Sequence, residues 1–432
     1  MYIDYIRKHL MRYNIFENVL SRAFAGRYKT NYTGGLMKSF EDFSGQLESM
    51  LFTQILPFWL KLKDEEHGGY YGYVSRNGTV DPLAAKGVIL HSRILWTFSE
   101  AFRMTNNAEY LDAAEHAYSF LTGQAMDKEY GGLYWMLDCE GKPVESFKHS
   151  YNQAFGVYAL SDFYLATGRK EVLDQAIELF RLIEEKWRDT KGYLEQLTRT
   201  FEPTRNDELS ENGIVAEKTM NSLLHIMEAY TVLYQASHDP DVKTALIFAV
   251  KQLTEQMYNP VKERLEVFFD SDLNSLLDLH SYGHDIEASW LIDRALSAID
   301  DPELLIYTAP VTKSLYDHVM RRAYTKRGVY FECLNGRDNM QRDWWVQAEA
   351  VIGVANDFGK NGGKEEHLSR LYELLNFLKT EIIMPSGEWE WTTYEDGTHD
   401  MQRELAGPWK CPYHNGRMCM EIVTRFAGNR GQ

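Results

Sequence analysis

The chain has 432 residues, 44% of them apolar and 13% aromatic, with a formal net charge of −17 at pH 7. There is ample material for a large core, and the acidic excess argues against a nucleic-acid partner, whose phosphates call for clustered cations. Cys139, Cys333, Cys411 and Cys419 form no C-x-x-C pair and no apolar run approaches the roughly 20 residues that span a bilayer, so a reducing, cytoplasmic setting without zinc knuckle, disulfide framework or membrane contact is expected.

Residues 1–40 are basic, unlike the remainder, and lack the continuous apolar stretch of a signal peptide. They read as a leader, either poorly ordered or an interaction arm, ahead of one catalytic domain over residues 41–432. A helix predicted over residues 41–63 opens that domain. From there one phrase recurs with a period near sixty: "GGYYGYVS" at Gly68, "GGLYWMLDCEGK" at Gly131, "KGYLEQLTR" at Lys191, "ERLEVFFDSD" at Glu263, "RGVYFECLNGR" at Arg327 and "GEWEWTTYEDGT" at Gly387. Short alternating runs bounded by Gly, Asn or Asp are hairpin signals.

Each phrase is followed by a strongly apolar helix, predicted over 87–102, 151–168, 218–237, 284–299, 345–359 and 414–428. More amphipathic helices follow over 110–123, 172–187, 242–257, 311–324 and 367–382, and the helix over 41–63 completes the set. Six helix pairs that cannot bury their faces singly are expected to close into an all-α (α/α)6 barrel, a toroid with the apolar set inside and short β-hairpins at one end. An open solenoid is the alternative, but six even repeats without polar end caps favour closure.

Every hairpin precedes an inner helix, so all six inner helices should start at one mouth, where their N-terminal dipoles favour developing negative charge. The polar groups there are His91 and Arg93; Tyr151, Asn152 and Gln153; Asn221 and His225; His284, Asp285 and Glu287; Trp344, Trp345, Gln347 and Glu349; and His414, Asn415 and Arg417. Each has a plainer reading. His225 also suits a core histidine, and Trp344, Trp345, Trp389, Trp391 and Trp409 either fill the barrel or offer stacking faces to sugar rings. His280, His284 and Glu287 have the spacing of metal ligands, but Gly283 is expected to break the helix between the histidines and no third well-spaced ligand appears, so no metal is expected. His284 and Glu287, at i and i+3, instead suggest a carboxylate that orients an imidazole. His414, among Trp409, Lys410, Asn415 and Arg417, has surroundings that a core position would not carry. No G-x-G-x-x-G follows a strand and no G-K-[ST] loop occurs, so no cofactor is expected.

The segments "KGVILHSRILW", "YNQAF", "EKTMNSLLH", "HSYGHDIEASWL", "WWVQAEAV" and "GPWKCPYHNGRMCMEI" occur in this order. From about Ser44 onward the chain resembles the N-acylglucosamine 2-epimerase superfamily, and the "WKCPYHNGRM" form resembles its cellobiose-type branch. The resemblance implies an isomerase that inverts C2 of the reducing-end glucose in β-1,4-linked disaccharides. It implies an acid/base pair in His284 and His414, a third essential histidine in His225, and in Arg93 a stabiliser of the anionic intermediate. Asn221 and Glu287 match supporting residues, and Trp345 and Trp409 match tryptophans that hold the disaccharide. Tyr151 and Glu349, from their place at the mouth, are added as substrate-binding candidates. The rival readings are an aldose–ketose isomerase or an N-acylglucosamine 2-epimerase on the same scaffold, an (α/α)6 glycoside hydrolase using a carboxylate pair, and a non-catalytic sugar-binding protein. The only partner expected is the small sugar, with the chain a monomer or weak homo-oligomer.

Overall fold

Tight turns and long hairpin segments alternate along the chain, and that alternation puts everything reactive at one end. The structure, a computed structural model, describes residues 34–206 and 213–426. Six inner helices are α2 (Val88–Thr105), α4 (Ser150–Thr167), α6 (Met220–Ser237), α8 (Tyr282–Ile299), α10 (Trp344–Lys360) and α12 (Tyr413–Phe426). Outside them lie α1 (Gly34–Met50), α3 (Ala108–Gly123), α5 (Lys170–Lys186), α7 (Pro240–Lys251), α9 (Pro302–Arg322) and α11 (Glu365–Phe377). Three outer helices run on through π-helical segments, Leu51–Ile55, Gln252–Met257 and Leu378–Ile382.

Inner-to-outer turns are short because one residue adopts the left-handed conformation and another caps the next helix. Asn106, Gly168, His238 and Asp300 all have φ between 53° and 69°. The next residues Asn107, Asp239 and Asp301 accept backbone N–H groups with their side chains. The two classes of helix differ in what they bury. In α5 only one stripe is covered, Val172, Ala176, Leu179, Phe180 and Ile183, at the spacing of an amphipathic surface helix. In α4 every residue from Ser150 to Phe163 is buried.

The expected hairpins are present, but most strands pair between neighbouring repeats. The residues just before each inner helix join the next repeat: Lys86–Gly87 with Met136–Leu137, Lys148–His149 with Gln196–Leu197, Lys218–Thr219 with Phe268–Phe269, Leu279–Ser281 with Glu332–Leu334, and Arg342–Asp343 with Thr392–Thr393. A bridge between Val74 and Ala406 links the last repeat to the first. The ring is therefore closed, and the barrel predicted from the repeat is the one that forms. A basic residue just before several inner helices is buried against an acid from the preceding turn, as in Lys86–Asp64 (2.6 Å), Lys148–Asp127 (3.1 Å) and Lys410–Glu388 (2.8 Å).

Two helix starts lie well ahead of the predicted ones, by seven and nine residues. The first helix begins at Gly34, not at residue 41, and the added turns bury Phe40 in a stack on Phe358 (centroids 4.9 Å apart) beside the closure seam. Residues 1–33, the rest of the basic leader, lie outside the described residues. Helix α9 begins at Pro302 because Asp301 caps it and proline suits a first helical position. Among the described residues no helix is long and apolar enough to cross a membrane.

Candidate active site

An α-helix turns by about 100° per residue, so its second and sixth residues share a face and its fourth points the other way. The inner helices use this consistently. In four of the six the fourth residue reaches outward and holds the backbone of its own hairpin. His91 Nε2 accepts from Tyr70 N (2.9 Å), Gln153 Oε1 from Leu133 N (2.7 Å), Asp285 Oδ1 from Leu265 N (3.2 Å) and Gln347 Oε1 from Val329 N (2.8 Å). Asn152 donates to Tyr134 O and Asn415 to Glu388. These six polar candidates, expected at the mouth, belong to the fold. His91 also stacks on Phe120, and its burial pushes its pKa down to about 4.

Second and sixth residues face the barrel axis, among them Tyr151, Asn221, His225, Trp345, Glu349 and His414, with Arg93 and Glu287 at sixth positions. His284 is the third residue of α8 and reaches the same space. Its ring centroid lies 4.8 Å from that of Trp345, which in turn is 5.6 Å from that of His414, so both imidazoles pack against one aromatic ring. His225 sits 5.1 Å from Tyr151 and 6.2 Å from Tyr413. Tyr151 is in turn 6.0 Å from Trp409, whose indole is backed by Trp135 at 5.8 Å, while Phe331 stands edge-on to Trp345 at 6.4 Å. Asn221, His284, Trp345 and Trp409 are half-buried, as groups lining a mouth would be.

Carboxylates stand behind two of the histidines. His414 Nδ1 is 2.7 Å from Glu349 Oε1, and His225 Nδ1 is 2.9 Å from Glu228 Oε2. A carboxylate only accepts, so each Nδ1 carries the proton and each Nε2 presents a lone pair. The sequence expectation for His284 needs correction: its Nδ1 meets Ser281 Oγ at 2.7 Å, not Glu287. The reason is that α8 starts at Tyr282, leaving Ser281 within reach at the cap while Glu287 turns to Arg417. Nor does Gly283 break a helix. It lies within α8, where a β-carbon would come within 2.4 Å of the Trp345 ring, and His280 lies before the helix, bonded to Asp285 at 2.7 Å.

Glu349 is also corrected. It is fully buried, with Oε1 taken by His414 and Arg417 (2.7 Å) and Oε2 by Trp290 Nε1 (3.0 Å), so it orients His414 and offers no free oxygen to a substrate. Glu287, Glu349 and His414 place donor atoms within 4.8 Å of one another, but the Arg417 guanidinium already binds both carboxylates. Burial, reinforced by neighbouring Glu349, pushes the Glu287 carboxyl up to about 7, and its Oε2 has no hydrogen-bond partner.

Burial pushes the His284 pKa down to about 3, with His225 adding to the effect. Burial also holds His414 well below its ordinary value, followed by the Arg417 and Arg93 guanidiniums. Both imidazoles are thus neutral at pH 7, the protonation state of a base. Arg93 donates to Tyr151 Oη (2.7 Å), packs over Phe155 and Tyr413 at 4.2 and 4.7 Å, and among the described residues forms no ion pair with a carboxylate. Its Nε is buried and unpartnered. Glu228, Ser281, Tyr413 and Trp290 were not singled out as functional residues from the sequence. Only Glu228 had a readable signal, its i+3 spacing from His225.

The family model for N-acylglucosamine 2-epimerase (GlcNAc 2-epimerase) matches residues 69–416. The chain belongs to the N-acylglucosamine 2-epimerase family. It is 44% identical to a cellobiose 2-epimerase of Ruminococcus albus over 88% of this chain and 98% of that one. Identity to a cellobiose 2-epimerase of Dictyoglomus turgidum is 41%, over 87% and 97%. The solved structure of cellobiose 2-epimerase from Bacillus thermoamylovorans superposes with a TM-score of 0.85 at 41% identity, covering 89% of this chain and all of that one. Family membership makes this chain an epimerase by class, with the ring of helix pairs as its scaffold.

Proposed function

We propose that the ring is one catalytic unit, acting in the reducing cytoplasm, that reversibly inverts C2 of the reducing-end glucose in β-1,4-linked disaccharides. Cellobiose becomes glucosyl-mannose and lactose becomes epilactose. The observation that carries this reading is the pair of neutral imidazoles, His284 and His414, both packed against Trp345. The unpaired Arg93 supports it, as do the relatives at 41–44% identity that carry the name cellobiose 2-epimerase. Four free cysteines suit the compartment.

Inversion at C2 requires an open-chain aldehyde, removal of the proton beside it, and return of a proton to the opposite face of a planar enediolate. One imidazole takes the C2 proton as neutral base, and the other, which takes up a proton from water or a sugar hydroxyl before it acts, returns a proton to the opposite face; the two exchange roles in the reverse direction. Glu349, acting through Nδ1, steadies the positive charge that forms on His414, and Ser281 orients His284. Arg93 meets the oxyanion, a contribution of roughly 3 to 4 kcal/mol for a well-placed donor. His225 and Asn221, whose Oδ1 is buried without a partner, hold the sugar hydroxyls, and Tyr151 fixes Arg93. Trp345 and Trp409 are the stacking faces.

In heavy water the epimer formed from cellobiose should carry deuterium at C2, read by NMR or mass spectrometry. Unlabelled product would reject proton transfer with solvent-exchanging bases, and a ketose as main product would reassign the chain as an isomerase. Gly283→Ala should displace the Trp345 indole and raise KM for cellobiose roughly 3- to 10-fold, the scale of one aromatic contact. An unchanged KM would remove Trp345 from the substrate contacts.

A further inference from the structure

The buried end of the site holds a feature that the acid/base scheme does not use. Arg417 is fully buried on α12 and its two terminal nitrogens serve four groups on four inner helices. Nη1 donates to Glu228 of α6 and to Tyr413 of its own helix; Nη2 donates to Glu287 of α8 and to Glu349 of α10. Its guanidinium also lies 4.8 Å over Trp290 and 4.2 Å over Tyr413. Glu349 Oε1 is the same atom that receives His414 Nδ1, and Glu228, through its other oxygen, receives His225 Nδ1 and Tyr413 Oη.

We propose that Arg417 is a positioning residue for the epimerisation: one guanidinium sets the orientation and proton placement of His225 and His414 together by holding the carboxylates behind both. Resting on the function proposed above, it adds a residue that never touches substrate. The physical case is one of count and reach. Three buried carboxylates without a cation would draw in protons, and a protonated Glu349 or Glu228 would present a hydroxyl donor to its histidine and reverse the tautomer. A planar fork reaches carboxylates on three helices at once, which a lysine ammonium on a single stem does not.

The charged and titratable groups that face His414 are Arg417 and Tyr413 on its own helix, Glu349 on α10, Glu287 and His284 on α8, His225 on α6, and Arg93 on α2. A lysine keeps one positive charge but cannot hold all three carboxylates, so Glu349 faces His414 with a weaker competing cation and the imidazole holds its proton to higher pH. For a residue that must be neutral to act as base, the acid limb of kcat/KM then moves upward.

The test compares wild type with Arg417→Lys on cellobiose across pH 4 to 9. Wild type must first form the labelled epimer in heavy water; if it does not, the functional reading itself has failed. Given that activity, Arg417→Lys should lose roughly 10- to 100-fold in kcat, the usual scale for an outer partner of a reacting group, with KM within about threefold. Its acid limb should shift to higher pH. A lowered melting temperature with an unmoved pH profile would assign Arg417 to the fold alone and overturn the proposal, as would near-normal kcat. Should the lysine variant not fold, Glu228→Gln reaches the same contacts from the far side without touching Glu349. An acid limb moved to lower pH supports the shared guanidinium, and an unmoved limb overturns it.

Discussion

Asparagine in place of His284 or His414 is expected to lower kcat for cellobiose by roughly 10²- to 10⁴-fold in each case, the range for loss of a positioned acid or base. The double variant should be little worse than either single one, because the two rings act as a unit and their effects are not additive. Net epimerisation needs both faces of the enediolate served. Each single variant should therefore still exchange the C2 proton of one epimer with deuterated solvent while failing to convert it, and NMR of the recovered sugar separates the two events. The melting temperature should stay close to wild type for His414→Asn, since Glu349 keeps Arg417 and Trp290 as partners. If either variant turned over at a near-normal rate, or both exchanged the same epimer, the assignment of opposite faces to the two helices would fall.

The second large effect concerns stability. Lys410 and Glu388 are completely buried and 2.8 Å apart, and Glu388 also accepts from Trp59 Nε1 at 2.8 Å and Asn415 Nδ2 at 3.0 Å. That carboxylate joins the short helix Leu56–Leu60 that continues the first outer helix, the last hairpin and the last inner helix, across the seam where the ring closes. Lys410→Met removes the cation and leaves the anion buried, which should cost about 3–5 kcal/mol. Denaturant unfolding should show a lower midpoint at unchanged slope. Adding Glu388→Gln to Lys410→Met should recover part of the loss, because an amide is cheaper to bury than an unpaired charge. A midpoint unaffected by Lys410→Met would show that the seam does not depend on this pair. Activity should fall along with stability, since Lys410 lies between Trp409 and the start of the helix that carries His414.

The number of helices, their order, their pairing and the end at which the inner ones start all follow from local properties: apolar spacing, the recurring hairpin phrase and its period near sixty. Those properties act within a dozen residues, so they can be read along the chain. Closure was also an argument of repetition, and the Val74–Ala406 bridge completes it. The histidines were legible as candidates because imidazoles at the starts of apolar helices are out of place in a plain core.

Within the polar groups at those starts, the division between fold and chemistry was not drawn. His91, Gln153, Asp285 and Gln347 looked as reactive as His225 or Arg93, although their fourth-residue position turns them outward; the helical starts had to be known to within one residue before the 100° step could sort them. The His284–Glu287 pairing failed for a related reason, as the two-residue difference in where α8 begins hands the imidazole to Ser281.

The amino-acid order by itself determined twelve helices, one mouth and a set of imidazoles near it, because helix formation and amphipathic burial are decided by neighbours along the chain. Only the tertiary structure decided that Glu349 stands behind His414 and that Arg417 ties Glu228, Glu287 and Glu349 together. Those contacts join residues 65 to 189 positions apart. Hydrogen bonds and ion pairs over such separations depend on how rigid helices are set around the axis, and no local spacing rule carries that information.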